Sequence, residues 1–380
     1  MRMSRPSTLL ALALAGATVL GATGCSKSDD NSDKAGGPVK VTATDSKCDL
    51  TQTSLDAGTS TFEIRNTGSK TTEFYVYAEG DRIMGEVENI GPGLSRKLIV
   101  ELPAGAYQGT CKPGMKGTGI RTKLTVTGAT ASLGTDAKLA LAATSYQAYV
   151  NAQATALLAK TTEFVAAVKA NQIDKAKALF PVARTYWERI EPVAESFGDL
   201  DPKTDAREND VEPGQQWTGF HRIEKDLWIT KDINKDGALA DTLLANVTEV
   251  VTKSKAVKLT PLELANGSKE LLDEVATGKI TGEEDRYSHT DLWDFQANLE
   301  GSKAAIAALR PTLEERDPAL VKELDTRFAE VQKLLDAQAT ADGFKLYTQL
   351  TQAEIKQFAA AVDALSEPLS KVAAVVAKTK

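Results

Sequence analysis

The residues of this 380-residue chain best suited to chemistry are its scarcest: two histidines, His221 and His289, and three cysteines, Cys25, Cys48 and Cys111. A metal site built from three histidines is impossible within one chain. His221-Arg222-Ile223-Glu224 places an imidazole and a carboxylate three residues apart, which on a helix puts both on one face within reach of a single ion. Such a pair also arises by chance, and the two-histidine zinc-peptidase pattern fails because Lys225 stands where the second histidine belongs. Other acids raise its significance. Glu188, Glu191 and Glu195 fall at i, i+3 and i+7 on the preceding helix, while Asp199, Asp201, Asp205, Glu208 and Asp210 crowd the connection to His221. A solvated acidic face is the plainer explanation of that run.

His289 ends the segment Gly282-Glu283-Glu284-Asp285-Arg286-Tyr287-Ser288-His289, just ahead of a helix. Ordinary capping accounts for part of it, because Ser288 and Asp291 are spaced as a capping pair and acids favour a helix N-terminus. Carboxylates gathered near an imidazole also suit a hard, highly charged cation. Ferric iron fits that donor set and cuprous copper does not. Asp232-Ile233-Asn234-Lys235-Asp236-Gly237 starts like a calcium loop, but its twelfth position is Leu243 in place of a bidentate glutamate, so a polar turn is the better reading.

The chain must position these groups with two kinds of element. Its length predicts two domains or one large one. From Val39 to about Gly128, short alternating runs such as Thr61–Arg65 and Lys97–Leu102 are separated by Gly, Pro and Asn turns, predicting an all-β sandwich over 39–128. Beyond it, apolar residues recur at helical spacing, as in Leu292, Phe295, Leu299, Ile306 and Leu309, predicting an all-α bundle over 129–380. Asp317-Pro318 is expected to start one helix and Glu367-Pro368 to interrupt the last.

Arg2 and Arg5 precede the apolar stretch Leu9–Leu20, too short to span a bilayer, and Ala22-Thr23-Gly24-Cys25 follows. This reads as a signal peptide over 1–24, with Cys25 resembling the lipid-modified cysteine of a bacterial lipobox. Residues 25–38 then form a polar tether. Loss of the leader moves the net charge from −7 to −9, which argues against nucleic acid as a partner.

Pro103–Met115 resembles the cupredoxin strand and loop that deliver ligands to copper, yet residues 39–128 contain no histidine, so a blue-copper centre is excluded. With Cys25 assigned to lipid, Cys48 and Cys111 are either a disulfide or thiolate ligands acting with Glu73, assisted by Met115 or Asp45.

The stretches Glu191–Asp201, Asp205–Glu208, Thr218–Glu224 and Gly282–Gly301 closely resemble a family of bacterial extracytoplasmic iron-uptake lipoproteins. Members join an N-terminal cupredoxin-like domain to a C-terminal imelysin-type domain named for its HxxE motif. The resemblance implies iron binding, as Fe(III) or Fe(II), and hand-over to a membrane permease. It also implies a secreted haem peroxidase of the DyP type as companion, and leaves open copper or zinc as further metals. Its metal-binding positions fall on Glu188, Glu191, Asp205, His221, Glu224 and Glu284, with Glu283, Asp285 and His289 competing for the last place. A second site falls on Cys48, Glu73 and Cys111. The alternatives are an HxxE metallopeptidase using Glu224 as general base, or a lipoprotein binding polysaccharide through bridging cations.

Overall fold

The computed structural model describes residues 37–129, 133, 136–211 and 214–378, apart from the Glu195 side chain. The signal peptide over 1–24, the lipidation site Cys25 and most of the 25–38 tether lie outside the described residues. Strands come first: β1 (Val39–Ala43), β2 (Cys48–Leu50), β3 (Ser54–Asp56), β4 (Gly58–Asn66), β5 (Thr72–Tyr77), β6 (Ile83–Ile90), β7 (Ser95–Leu102), β8 (Gly105–Cys111) and β9 (Ile120–Thr127). They form two sheets, ordered β2-β1-β4-β7 and β3-β9-β8-β5-β6. The sheets enclose a core that includes Val41, Phe62, Ile64, Phe74, Val76, Leu98 and Leu124, which is the predicted sandwich.

Cys48 of β2 and Cys111 of β8 form a disulfide, with Cα atoms 5.5 Å apart, that ties one sheet to the other. This corrects the thiolate reading of Cys48, Glu73 and Cys111, because both sulfurs are consumed in the bond. Glu73 could not have joined them in any case. Phe74 pairs with Cys111 across β5 and β8, and the side chain before Phe74 must point to the opposite face. There Glu73 accepts a hydrogen bond from the Tyr75 hydroxyl at 3.1 Å. Asp45 is occupied by Ser69 and Lys70, and Met115 sits exposed in a turn.

The helices are α1 (Ala137–Lys169), α2 (Ile173–Glu188), α3 (Glu191–Glu195), α4 (Leu200–Thr204), α5 (Phe220–Lys225), α6 (Gly237–Ala256), α7 (Pro261–Thr277), α8 (Asp291–Arg316), α9 (Pro318–Asp336), α10 (Gln352–Leu369) and α11 (Val372–Val376). A two-residue hairpin, β10 (Ala339–Thr340) and β11 (Gly343–Phe344), lies between α9 and α10. As expected from their spacing, Leu292, Phe295, Leu299, Ile306 and Leu309 of α8 are buried. Asp317 caps α9 by accepting from Leu320 N at 3.0 Å, with Pro318 at the first helical position. Pro368 does not break α10; it occupies the last turn, where the helix ends at Leu369 before α11 begins.

The sandwich packs on the bundle chiefly through β6, β7 and α7. Thr260 and Glu263 form a capping box at the start of α7. The same Glu263 carboxylate reaches back to Arg82, 2.7 Å away, so one cap also anchors the sheet. Asn266 donates to Ile99 O at 3.0 Å. β5 is buried along its whole length; on its outer face Tyr75 and Tyr77 stack on one another, with the Lys112 ammonium 4.0 Å from the Tyr75 ring centre.

Separate substitution of Cys48→Ser or Cys111→Ser is expected to destabilise the sandwich by about 2–4 kcal/mol, read by urea unfolding.

Candidate metal centre

Spacing of four along α2 puts Phe180, Arg184 and Glu188 on one inward face, all fully buried. Glu191 follows at the start of α3, which carries Pro192 in its first turn. α4 then delivers Asp205 at its C-terminal end. The chain returns at Gly219, where φ is +91° and a Cβ would lie 2.2 Å from Thr204 O. Only glycine permits that approach, and it sets His221, in the first turn of α5, beside Asp205. Phe164, Phe180 and Phe220 pack together behind the imidazole as an apolar wall. α5 continues as one wide π-helical turn, Asp226–Thr230.

The Gly282 segment closes the other side. Gly282 has φ +74°, and a Cβ there would meet the Tyr347 ring at 2.4 Å. Beyond it, Glu284 and Asp285 turn inward and are buried, whereas Glu283 is exposed and pairs with Arg286. His289 has φ +61° and its carbonyl accepts from Tyr347 N at 2.8 Å; its ring belongs to none of the ligand clusters among the described residues. The expected Ser288–Asp291 capping pair does not form. Thr290 takes the N-cap position of α8, and Asp291 Oδ1 accepts from Asp285 N at 3.3 Å, holding the segment against the helix.

These elements gather all six of the carboxylate and imidazole positions expected in the helical half. Asp205, His221 and Glu284 offer one ligand atom each within 4.8 Å of one another, as do His221, Glu224 and Asp285, and also Glu188, Glu191, Asp205 and Glu284. Opposite ligands of one ion with bonds of about 2 Å stand roughly 4 Å apart, so small side-chain movements would close such groups on a cation. The acidic run is therefore not simply a solvated face: Glu188, Glu191 and Asp205 point inward, while Asp199, Glu208 and Asp210 stay exposed.

The two members of the HxxE pair do different things. His221 Nδ1–H donates to Glu224 Oε2 at 2.9 Å, and Glu224 Oε1 accepts from the backbone N–H groups of Tyr287 at 3.0 Å and Ser288 at 2.7 Å. Glu224 thus orients the ring and ties α5 to the Gly282 segment. That leaves His221 Nε2, buried and without a hydrogen bond, 3.5 Å from Glu284 Oε1 and 3.6 Å from Asp205 Oδ1. A carboxylate holding the far nitrogen of a ligating histidine is a recurrent arrangement at metal sites.

Sequence reasoning missed the cations that hold this nest together. Arg184 pairs with Glu188 and Asp205 and lies 3.0 Å from Glu284, 3.2 Å from Asp285 and 3.6 Å from Asp294. Lys279 sits 2.5 Å from Glu188 and 2.7 Å from Glu191. The i, i+4 spacing of Arg184 and Glu188 was a usable signal; nothing local marked Lys279. Asn298 of α8 was missed as well, and it donates to Glu188 Oε2 at 3.0 Å and Glu191 Oε2 at 3.3 Å.

Burial, reinforced by Glu191, pushes Glu188 up to about 8, and burial pushes Asp285 up to about 7. Burial also raises Glu284, but Lys279, His221, Arg207 and Arg184 outweigh it and hold that carboxyl well below its usual range. For His221, burial and Arg184 act downward, yet Asp205, Glu224 and Glu284 together push it up to about 10.

The imelysin family's sequence profile matches residues 142–372, and that of a cupredoxin-like domain matches 11–126. The chain belongs to the imelysin family. It is 41% identical to the iron uptake system component EfeO of Escherichia coli O157:H7 over 345 residues, covering 89% of this chain and 91% of that protein. EfeO of Shigella flexneri gives the same identity and coverage, and EfeO of Escherichia coli O1:K1 is 42% identical over 348 residues, with 89% and 91% covered.

Arg184→Met is expected to destabilise the bundle by about 3–5 kcal/mol in urea unfolding at pH 8, because it leaves buried carboxylates without their counter-charge. A change under 1 kcal/mol would contradict the central role given to this guanidinium.

Proposed function

We propose that this protein is the iron-binding component of an uptake system, holding ferric or ferrous ion in the helical half for transfer to a membrane permease. His221 Nε2 is the observation that carries the reading: a buried ring nitrogen without a hydrogen bond, aimed between two carboxylates. The donors supplied by Glu188, Glu191, Asp205, His221 and Glu284 are carboxylate oxygens with one imidazole, a set suited to a hard cation. Glu224 acts by orienting His221. The likeness to proteins named iron uptake system components supports iron as the cargo. Copper and zinc would compete at the imidazole.

The domain limits proposed are a signal peptide over 1–24, a tether over 25–38 lipid-anchored at Cys25, the cupredoxin-like sandwich over 39–128 and the imelysin-type domain over 129–380. No helix among the described residues is long and apolar enough to cross a membrane. Anchoring on the outer face of the cytoplasmic membrane would place the chain beside its permease, with a secreted haem peroxidase as companion. A peptidase reading asks Glu224 to serve as general base, but both of its oxygens are committed to His221 and to backbone N–H groups. A binding role is therefore favoured over hydrolysis.

His221→Ala and Glu284→Gln should each weaken Fe(III) binding at least tenfold by competition against nitrilotriacetate, and unchanged affinity in both would reject the site. Binding should also release protons. Glu188, up at about 8, and Asp285, at about 7, are increasingly protonated as pH falls, and His221, up at about 10, must lose a proton to ligate. Affinity for Mn(II), a probe stable to hydrolysis in this range, is expected to fall at least tenfold from pH 8 to pH 6. Calorimetry in buffers of different ionisation enthalpy would count the protons released.

A further inference from the structure

Lys279 differs from the other cations around the cage. It opens a short turn, Lys279–Thr281, directly after α7, and its ammonium is 2.5 Å from Glu188 Oε2, 2.7 Å from Glu191 Oε2 and 3.1 Å from Glu274 Oε2. The first two partners belong to the four-carboxylate group with Asp205 and Glu284. A cation bridging Glu188 and Glu191 must therefore take the place of this ammonium.

Glu274 belongs to none of the ligand groups. With Glu86, Glu88, Glu270 and Asp273 it lines a cavity of about 670 Å³ between the sandwich and α7, whose walls also carry Lys40, Arg65, Arg96, Lys97 and Lys269. Glu274 thus touches Lys279 on one side and this polar space on the other. Arg184 has no comparable exit. Its guanidinium is fully buried, held by carboxylates from α2, the end of α4, the Gly282 segment and α8, with Phe180 and Phe220 against it. A planar fork locked on several sides stays in place, whereas an ammonium on a four-carbon stem can swing.

We propose that Lys279 is a tethered competitor of the cargo ion: a cation arriving between Glu188 and Glu191 displaces the ammonium toward Glu274 and the cavity, and the ammonium's return helps expel the cation. This deepens the iron-binding reading and rests on it. A cage of carboxylates this dense would hold a trivalent ion too tightly for hand-over, and a built-in positive charge that competes for two of the ligands lowers that affinity. Lys279 moves as a charged group and no bond is made or broken.

The test is equilibrium binding and release of Fe(III), supplied as its nitrilotriacetate complex, by the full chain at pH 7.5. Lys279→Gln should bind iron at least tenfold more tightly than the parent and surrender it more slowly to excess chelator. Lys279→Arg, which keeps the charge, should reverse most of that gain. Parent-like or weaker affinity in Lys279→Gln overturns the proposal. If that variant does not fold when stripped of metal, its melting is followed with the iron complex present. A loaded variant that melts at or above the loaded parent supports the proposal, and failure of iron to restore the folded chain overturns it. His221→Ala, measured alongside, separates the two ideas. Unchanged binding there sinks the site itself, while loss of binding there with a parent-like Lys279→Gln sinks only the role of Lys279.

Discussion

Repulsion among buried carboxylates is the constraint around which the helical half is organised. Glu188, Glu191, Asp205, Glu224, Glu284, Asp285, Asp291 and Asp294 are all withdrawn from water. Each such group loses hydration worth several kcal/mol, and neighbouring like charges add to the penalty. Arg184 is the principal answer, its guanidinium reaching carboxylates from four parts of the chain. Lys279 and Arg207 supply further positive charge at Glu188, Glu191 and Glu284. Burial raises several of the remaining carboxyls toward or above neutrality, and a hard cation can exploit them by displacing their protons.

Precision in that nest comes from backbone features that leave no alternative. Gly219 lets α5 press against the end of α4, and Gly282 lets its segment pass under Tyr347. Glu224 then staples the two parts together by binding His221 with one oxygen and the Tyr287 and Ser288 amides with the other. α8 contributes a second, polar face to the wall. Its apolar residues Leu292, Phe295 and Leu299 fill the core, while Asp291, Asp294 and Asn298 are equally buried on the side of the cage. A helix buried on both faces can position ligands with little freedom to relax.

The sandwich is more than a spacer in this arrangement. Its disulfide fixes one sheet on the other, and its β6 edge brings Glu86 and Glu88 into the same cavity as Glu270, Asp273 and Glu274 of α7. Burial pushes Glu88 up to about 7 and Glu270 to about 8. Glu274 lies in the same helix as Glu270 and reaches Lys279, so the acids at the sheet interface and those of the cage share one continuous electrostatic environment.

The order of a β-sandwich and a helical bundle was legible in the chain, because alternation in short Gly- and Pro-bounded runs and helical spacing over longer ones are local properties. So was the polar turn at Asp232, where Asn234 N bonds Asp232 Oδ1 at 3.1 Å and Leu243 enters the core. Counting alone disposed of a blue-copper centre. The choice between disulfide and thiolates at Cys48 and Cys111 was open in the sequence and was decided by strand pairing, which sets the two cysteines side by side and turns Glu73 away. The burial of Glu284 and Asp285 where Glu283 stays exposed, the hydrogen bond by which Glu224 orients His221, and the counter-ion Lys279 likewise emerged only with the fold. Residue type and spacing state which groups a helix or strand can present on one face; which charges meet across separate elements depends on how those faces pack, and electrostatic pairing between residues 21 to 100 positions apart leaves no local trace.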